Sequence, residues 1–265
     1  MEDIVQTEQI GHVLRITLNR PKVNAISRAL GNAIHAAAKR LQTDPELRVG
    51  IITAKGDRVF SAGWDFNEST QNTEPETAAQ PYEGGFAGIT AYWDLKKPLI
   101  AAVNGAAIGG GFEIALAADV ILMADHAYFE LPEIQRGFLP DAGGIQRLPR
   151  RIPYNVAMEM ILSGRRMEAA EAVTWGLARK ALPSDRLQDE ALELATLIAG
   201  GAPLALQALK EVMLAIEGRP LREAMEMSSA GTTPLPTLTR MWQSEDAKEG
   251  PRAFLEKRAP QWRGE

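Results

Sequence analysis

The chain has 265 residues, 45% of them hydrophobic and 24% charged, which supplies a full core and excludes a disordered or fibrous polypeptide. Its 29 Lys and Arg against 34 Asp and Glu give a formal charge of -5, which argues against a general nucleic-acid or anionic-membrane surface. With no cysteine, and three histidines that lack ligand spacing, disulfides, thiol nucleophiles and a strong metal signal are excluded.

Residues 1–6 lack both a basic and an apolar leader segment, so a cytoplasmic location is expected. Residues 12–19 alternate, with Leu14, Ile16 and Leu18 on one side, and predict a strand. Ser27 is placed to cap a helix in which Leu41 and the Ile34, Ala37 and Ala38 set recur at helical spacing, and Asp44-Pro45 closes it. Residues 49–54 read as a second, buried strand, and the polar stretch 67–80 as a mobile surface excursion. From Gly84 the expected order is a helix towards Leu95, a strand over 99–103, a helix after the glycine triplet 109–111 and a strand over 120–124. This alternation predicts an α/β core. After about Arg186 only helical patterns remain, broken at 231–234 and at Gly250-Pro251, which divides the chain into a core of 1–195 and a helical region of 196–265. The apolar stretch 98–120 is interrupted by Asn104, Glu113, Asp119 and glycines and is read as buried elements, with no membrane span.

Two glycine turns carry the chemistry. Asn104-Gly105-Ala106-Ala107-Ile108-Gly109-Gly110-Gly111-Phe112-Glu113 runs from a strand through a glycine-rich turn into an apolar helix, where unpaired backbone N–H groups and the helix dipole favour developing negative charge. Its spacing fits neither the dinucleotide fingerprint nor the phosphate loop. Phe60-Ser61-Ala62-Gly63-Trp64-Asp65 is a second strand-end turn able to offer another N–H, and two donors on one oxygen make an oxyanion hole. Glu113 and Glu133 each sit among apolar neighbours, where a carboxylate is costly unless it is paired or used, and such a pair can divide acid and base work.

These two segments, with Leu131-Pro132-Glu133 and the run Pro140-Asp141-Ala142-Gly143-Gly144-Ile145-Gln146-Arg147, resemble the enoyl-CoA hydratase/isomerase (crotonase) superfamily over nearly the whole chain. Within it, residues 61–65, 84–88, 111–113 and 244–247 are most similar to the subgroup that acts on carnitinyl-CoA. The resemblance implies a spiral of ββα units followed by a helical carboxyl-terminal trimerisation region, as a homotrimer or a dimer of trimers. It implies reversible hydration of an enoyl-CoA thioester by Glu113 and Glu133, with the backbone N–H groups of Ala62 and Gly110 holding the thioester oxygen. No cofactor is implied, because coenzyme A belongs to the substrate.

Further acyl-CoA contacts implied by the resemblance are Lys22, Asn24, Ala62, Trp64, Asp65, Phe66, Gly109, Pro132, Phe254 and Lys257, the last two reaching a neighbouring subunit's nucleotide. Asp141 stands where the hydratase pattern has glycine. It reads either as a turn residue or as a third carboxylate able to attract a trimethylammonium group, aided by Trp64, Phe86 or Trp93. The alternatives in the same family are a general short-chain enoyl-CoA hydratase and an enoyl- or dienoyl-CoA isomerase. Outside enzymes they are a non-catalytic acyl-CoA-binding or RNA-binding trimer.

Overall fold

The computed structural model describes residues 3–71, 83–231 and 233–265. Strands β1 (Val5–Ile10) and β2 (Val13–Leu18) form a hairpin followed by helix α1 (Arg28–Thr43). The pattern then repeats as β3 (Val49–Ala54), β4 (Val59–Ser61) and α2 (Phe66–Gln71), and as β5 (Leu99–Val103), β6 (Ala106–Ile108) and α3 (Gly110–Ala117). A further turn comprises β7 (Val120–Ala124), β8 (Tyr128–Glu130), a 3-10 turn (Glu133–Arg136) and α4 (Gly144–Arg151). Next come α5 (Tyr154–Ser163), β9 (Arg166–Glu168), α6 (Ala169–Thr174) and β10 (Lys180–Leu182).

The repeat sorts its strands into two sheets. One has the order β1-β2-β3-β5-β7-β10, parallel from β2 onward; the other has the order β4-β6-β8-β9, with β4, β6 and β8 parallel. Strands β3 and β5 are buried at every position, as expected of parallel strands covered on both faces. Helix α1 turns Leu30, Ile34, Ala37, Ala38 and Leu41 inward, and the Ser27 hydroxyl accepts the Leu30 N–H as its cap. Across the second sheet, Phe112 of α3 stacks on Phe129 of β8 with centroids 4.2 Å apart, and neither ring is exposed.

The carboxyl-terminal part contains α7 (Ser184–Ala199), α8 (Pro203–Ile216), α9 (Leu221–Ser228), α10 (Pro236–Gln243) and α11 (Glu245–Leu255). Helix α7 packs on the first sheet and spans position 195, while α8 carries α9 and α10. Glu211 fixes that last contact by accepting the Thr237 and Leu238 N–H groups and pairing with Lys96 at 2.6 Å. Among the described residues no single helix is long and apolar enough to cross a membrane; α7 and α8 reach that composition only as a pair bent by 100°.

The strands expected over 12–19, 49–54, 99–103 and 120–124 and the Ser27-capped helix are present, whereas β1 was not anticipated. Two expectations fail. No helix runs from Gly84 to Leu95: Gly84, Gly85, Ala87 and Gly88 all have positive φ, which limits the segment to one 3-10 turn (Phe86–Gly88). Gly250-Pro251 does not break the chain either, because α11 continues through Pro251. The tail secures it there: Glu249 is paired to Arg258, and Asp246 accepts the Arg263 and Gly264 N–H groups. The excursion expected over 67–80 begins as α2, and its part from residue 72 onward lies outside the described residues, as does Thr232 of the 231–234 break.

Because Phe112 and Phe129 tie the helix that follows the glycine triplet to its sheet, Phe129→Ala is expected to cost about 3–5 kcal/mol of stability. Urea unfolding checks this, and a loss below about 1 kcal/mol would show that the stack does not hold the sheet.

Candidate active site

The parallel strands β4, β6 and β8 lie side by side, so the segments leaving their carboxyl ends meet at one edge of the sheet. These segments are Ala62-Gly63-Trp64, Gly109-Gly110 and Leu131-Pro132-Glu133. Motifs far apart in sequence therefore converge at the strand ends, where open α/β sheets place their ligands. Ala62, Gly63, Trp64, Gly109, Gly110 and Glu133 of these segments line a cavity of about 390 Å³, whose walls also include Glu113, Phe86, Phe138, Asp141, Arg28 and Arg136.

The direction of each backbone amide is set by its neighbours. Ile26 bridges Trp64 in parallel: the Ile26 N–H donates to the Gly63 carbonyl at 2.7 Å, and the Asp65 N–H donates to the Ile26 carbonyl at 3.1 Å. Trp64 thus directs its own N–H away from Ile26, and that group has no hydrogen-bond partner among the described residues. Gly110 begins α3, where an N–H has no intrahelical acceptor. Its nitrogen lies 3.0 Å from the point at which a Gly63 side chain would begin, so the Gly110 amide sits close beside the Gly63-Trp64 segment at the same cavity wall.

The expectation at Ala62 is corrected. Its N–H donates to the Val23 carbonyl at 3.0 Å, and Ala62 contributes to the cavity wall without a free donor. Asn24 and Asp65 are also engaged internally. Asn24 accepts the Arg20 N–H at 2.8 Å and donates to the Phe60 carbonyl at 3.0 Å. Asp65 accepts the Arg20 guanidinium at 2.6 Å; burial acts to raise its pKa, but Arg20 and Asn67 outweigh that and hold the carboxylate below its ordinary value. Both are fasteners between residues 20–26 and 60–65.

The two glutamates occupy the cavity together. Glu113, in the first turn of α3, is 3% exposed and accepts the Gly144 N–H at 2.9 Å. Burial, reinforced by the charges of Glu133 and Asp141 and only partly offset by the Gly144 N–H, pushes its pKa from 4.5 to about 7. Burial also raises Glu133, whose Oε2 has no hydrogen-bond partner among the described residues. Gly109 makes room for it: at φ +55°, a Cβ there would lie 2.7 Å from Glu133 Oε1. Two acids whose pKa is raised by burial, beside two backbone N–H groups at one cavity wall, suit proton transfer next to a carbonyl whose oxygen gains charge.

Of the remaining expected contacts, Trp64, Phe66, Gly109 and Asp141 line this cavity. Pro132 is buried behind it as the cap of the 3-10 turn that presents Glu133. Lys22 lies in a separate cleft with Arg20, Lys55 and Arg58, while Phe254, 83% exposed, and Lys257 stand at the end of α11, away from the cavity. Phe86 lies beside Gly110, but Trp93 packs under Arg147, 5.6 Å from the ring centre, and is not part of the cavity. Sequence reading missed Phe138, Leu139 and the Trp64 N–H. Among the described residues no group of three or more His, Asp or Glu side chains has the geometry to hold a metal ion.

Keeping Glu113 ionised in this site costs stability. Below pH 4.5 the folded and unfolded states are both protonated at this group. As pH rises towards 7 the unfolded chain loses its proton first, and the folded state is progressively disfavoured. Glu113→Gln, which can still accept the Gly144 N–H, is expected to stabilise the protein by on the order of 3 kcal/mol at pH 8.5 and by little at pH 4.5. Urea unfolding at the two pH values checks this, and an equal effect at both would remove the burial penalty from the account.

Comparison with known proteins places this geometry. The family model described as enoyl-CoA hydratase/isomerase matches residues 8–265. The chain is 48% identical to a carnitinyl-CoA dehydratase of Proteus mirabilis, covering 96% of each protein, and 46% identical to one of Salmonella typhi over the whole of both. Among solved structures, enoyl-CoA hydratase from Mycobacterium tuberculosis superposes with TM-score 0.89 at 37% identity. A probable enoyl-CoA hydratase/isomerase from Mycobacterium abscessus does so with TM-score 0.89 at 39%, each covering 100% of both chains. The two-sheet ββα spiral is the crotonase fold, and the chain belongs to the enoyl-CoA hydratase/isomerase family.

Proposed function

We propose that this protein is a hydro-lyase that adds water reversibly across the α,β double bond of an enoyl-CoA thioester, with crotonobetainyl-CoA and carnitinyl-CoA as its substrate pair. The observation that supports the reaction type is that Trp64, whose N–H has no partner among the described residues, and Gly110 at the start of α3 line one cavity with the buried Glu113 and the half-buried Glu133. The substrate pair is supported by the full-length likeness to two carnitinyl-CoA dehydratases at 46% and 48% identity.

In hydration, Glu113 takes a proton from water as its oxygen bonds to C3, and the electron pair of the double bond moves onto the thioester oxygen. The two N–H groups hold that oxygen as an enolate. Glu133 then delivers its proton to C2 and the thioester carbonyl re-forms; Glu113 gives up the proton it took and Glu133 regains one from solvent, which restores both groups. Dehydration runs these steps backward: Glu133 takes the C2 proton, and Glu113 protonates the departing hydroxide. Fixed amide dipoles in a site shielded from water stabilise the enolate without reorganisation at the moment of reaction.

The assembly belongs to the same reading. Leu209, Met213, Leu221 and Met225 are more than half exposed on α8 and α9, an apolar surface suited to a homotrimer or a dimer of trimers. In such an assembly Phe254 and Lys257 would serve a neighbour's nucleotide, and Lys22 the pantetheine end of the bound thioester. A cytoplasmic location fits a soluble CoA thioester as substrate.

Loss of enoyl-thioester absorbance, followed with crotonobetainyl-CoA and with crotonyl-CoA, tests the reaction and its substrate. Glu133→Gln is expected to lower kcat by roughly 10²–10⁴-fold. Preference for crotonyl-CoA would make the protein a general short-chain hydratase, and no turnover of either would remove hydration. Trp64→Pro, which lacks the N–H, is expected to fall roughly 10²–10³-fold below Trp64→Phe, which keeps it. Equal rates in these two variants would take the Trp64 amide out of the mechanism.

A further inference from the structure

Glu113 relies on a donor that belongs to another element. Its Oε1 accepts the Gly144 N–H at 2.9 Å, and Gly144 opens α4 with no side-chain cap in front of it. The peptide that carries this N–H is fixed at its other end, where the Gly143 carbonyl accepts the Arg147 N–H at 2.8 Å. Gly143 itself has φ +135°, outside the regions open to residues with a side chain. The aim of the Gly144 amide therefore depends on what holds Gly143.

The Arg147 side chain is packed directly against it. A Cβ at Gly143 would lie 2.5 Å from Arg147 Nη1, so the guanidinium takes the space that a side chain would need. From Nη2 the same guanidinium donates to the Thr90 carbonyl at 2.7 Å, and it sits over Trp93, 5.6 Å from the ring centre. Thr90 carries this anchor back to the cavity: its N–H and its hydroxyl donate to the Phe86 carbonyl at 3.3 and 2.9 Å, and the Phe86 ring lies against Gly110. One side chain thus joins the turn that serves Glu113 to the segment that walls Gly110.

Arg147 does not enter the wall of the active-site cavity. It lines a separate cavity of about 880 Å³ with Trp93 and Leu214, so its influence on the reaction passes through its neighbours. Burial acts against its charge, and Glu113 is the charge that most favours it, ahead of Glu217; Arg150 and Arg151 of its own helix oppose it. The attraction is mutual, and it favours the Glu113 carboxylate in a site that otherwise disfavours that form.

We propose that Arg147 is the positioning residue for Glu113: its guanidinium clasps the Gly143-Gly144 turn to the 86–93 segment and so fixes the backbone donor on which the Glu113 carboxylate rests. Its effect on rate rests on the hydration reading above, whereas its effect on the ionisation of Glu113 does not.

The test follows Glu113 in two ways on the full-length protein. One is the pH titration of its carboxyl infrared band, assigned by difference from Glu113→Gln; the other is the pH profile of kcat/KM for hydration of crotonobetainyl-CoA. Arg147→Met keeps the stem but loses the fork and the charge, which loosens the Gly144 donor and removes a nearby cation. Both losses favour the protonated acid, so the band is expected to titrate about 0.5–1 pH unit higher, and the acid limb of the profile to move the same way. The kcat is expected to fall roughly 10- to 100-fold while KM stays within about threefold. Arg147→Lys restores the charge without the planar fork and is expected to recover less than about half of the lost kcat. Trp93→Leu, which removes the face beneath the guanidinium and touches neither Glu113 nor Gly144, is expected to move the band in the same direction, and it carries the test if Arg147→Met does not fold. A band unmoved in Arg147→Met, or in Trp93→Leu where only that variant folds, overturns the assignment. Full recovery of kcat in Arg147→Lys overturns it as well, because charge alone would then suffice. Absence of hydration in the unsubstituted protein strikes the hydration reading, and the infrared band then decides the clasp by itself.

Discussion

The site depends on a short ladder of hydrogen bonds between residues 20–26 and 60–65. Ile26 takes the carbonyl of Gly63 and the N–H of Asp65, and only because both neighbours are committed to that side does Trp64 present its amide to the other. The same ladder engages the Ala62 N–H, the Ser61 hydroxyl, both polar atoms of Asn24 and the Arg20–Asp65 pair. A backbone amide has no rotamer to adjust. Its aim is inherited from this framework, which is why so many polar groups are concentrated around the segment that carries the Trp64 amide.

The spiral brings the remaining groups to the same edge. Each ββα turn sends its first strand into one sheet and, from the second turn onward, its second strand into the other. The carboxyl ends of β4, β6 and β8 consequently deliver an amide, a helix start and a carboxylate in adjacent positions. The cavity that results takes Glu113, and one carboxylate oxygen of the half-buried Glu133, away from water. Burial is what lifts Glu113 to about 7 and raises Glu133, so the condition that suits them to proton transfer is also the one that weakens the fold above the ordinary carboxylate range.

Much of this was legible beforehand because it rests on local patterns. Alternation marked β2, the Ser27 cap marked α1, and acids in apolar runs marked Glu113 and Glu133. What depends on a partner distant in sequence was not. Choosing between Ala62 and Trp64 as the donor requires knowing that Val23 occupies one amide and that Ile26 flanks the other, and no composition of residues 60–65 contains that information. Phe138 was overlooked because it follows Gly137, whose φ of +81° turns the chain back, in a stretch with no periodicity. An aromatic residue five positions after the second glutamate was the available signal. Pro251 shows the converse: a reliable local breaker is overridden when the tail fastens the helix at Asp246 and Glu249.

The parallel bridge at Trp64 makes loop length a functional quantity. Backbone amides alternate in direction along an extended segment, so one residue inserted or deleted between Phe60 and Trp64 would aim a different amide at the cavity and return the present one to Ile26, even with every side chain retained. Homologous chains could therefore exchange the residue at position 64 while conserving the spacing around it. A substitution there would alter which acyl groups fit, whereas a change of register would end the reaction.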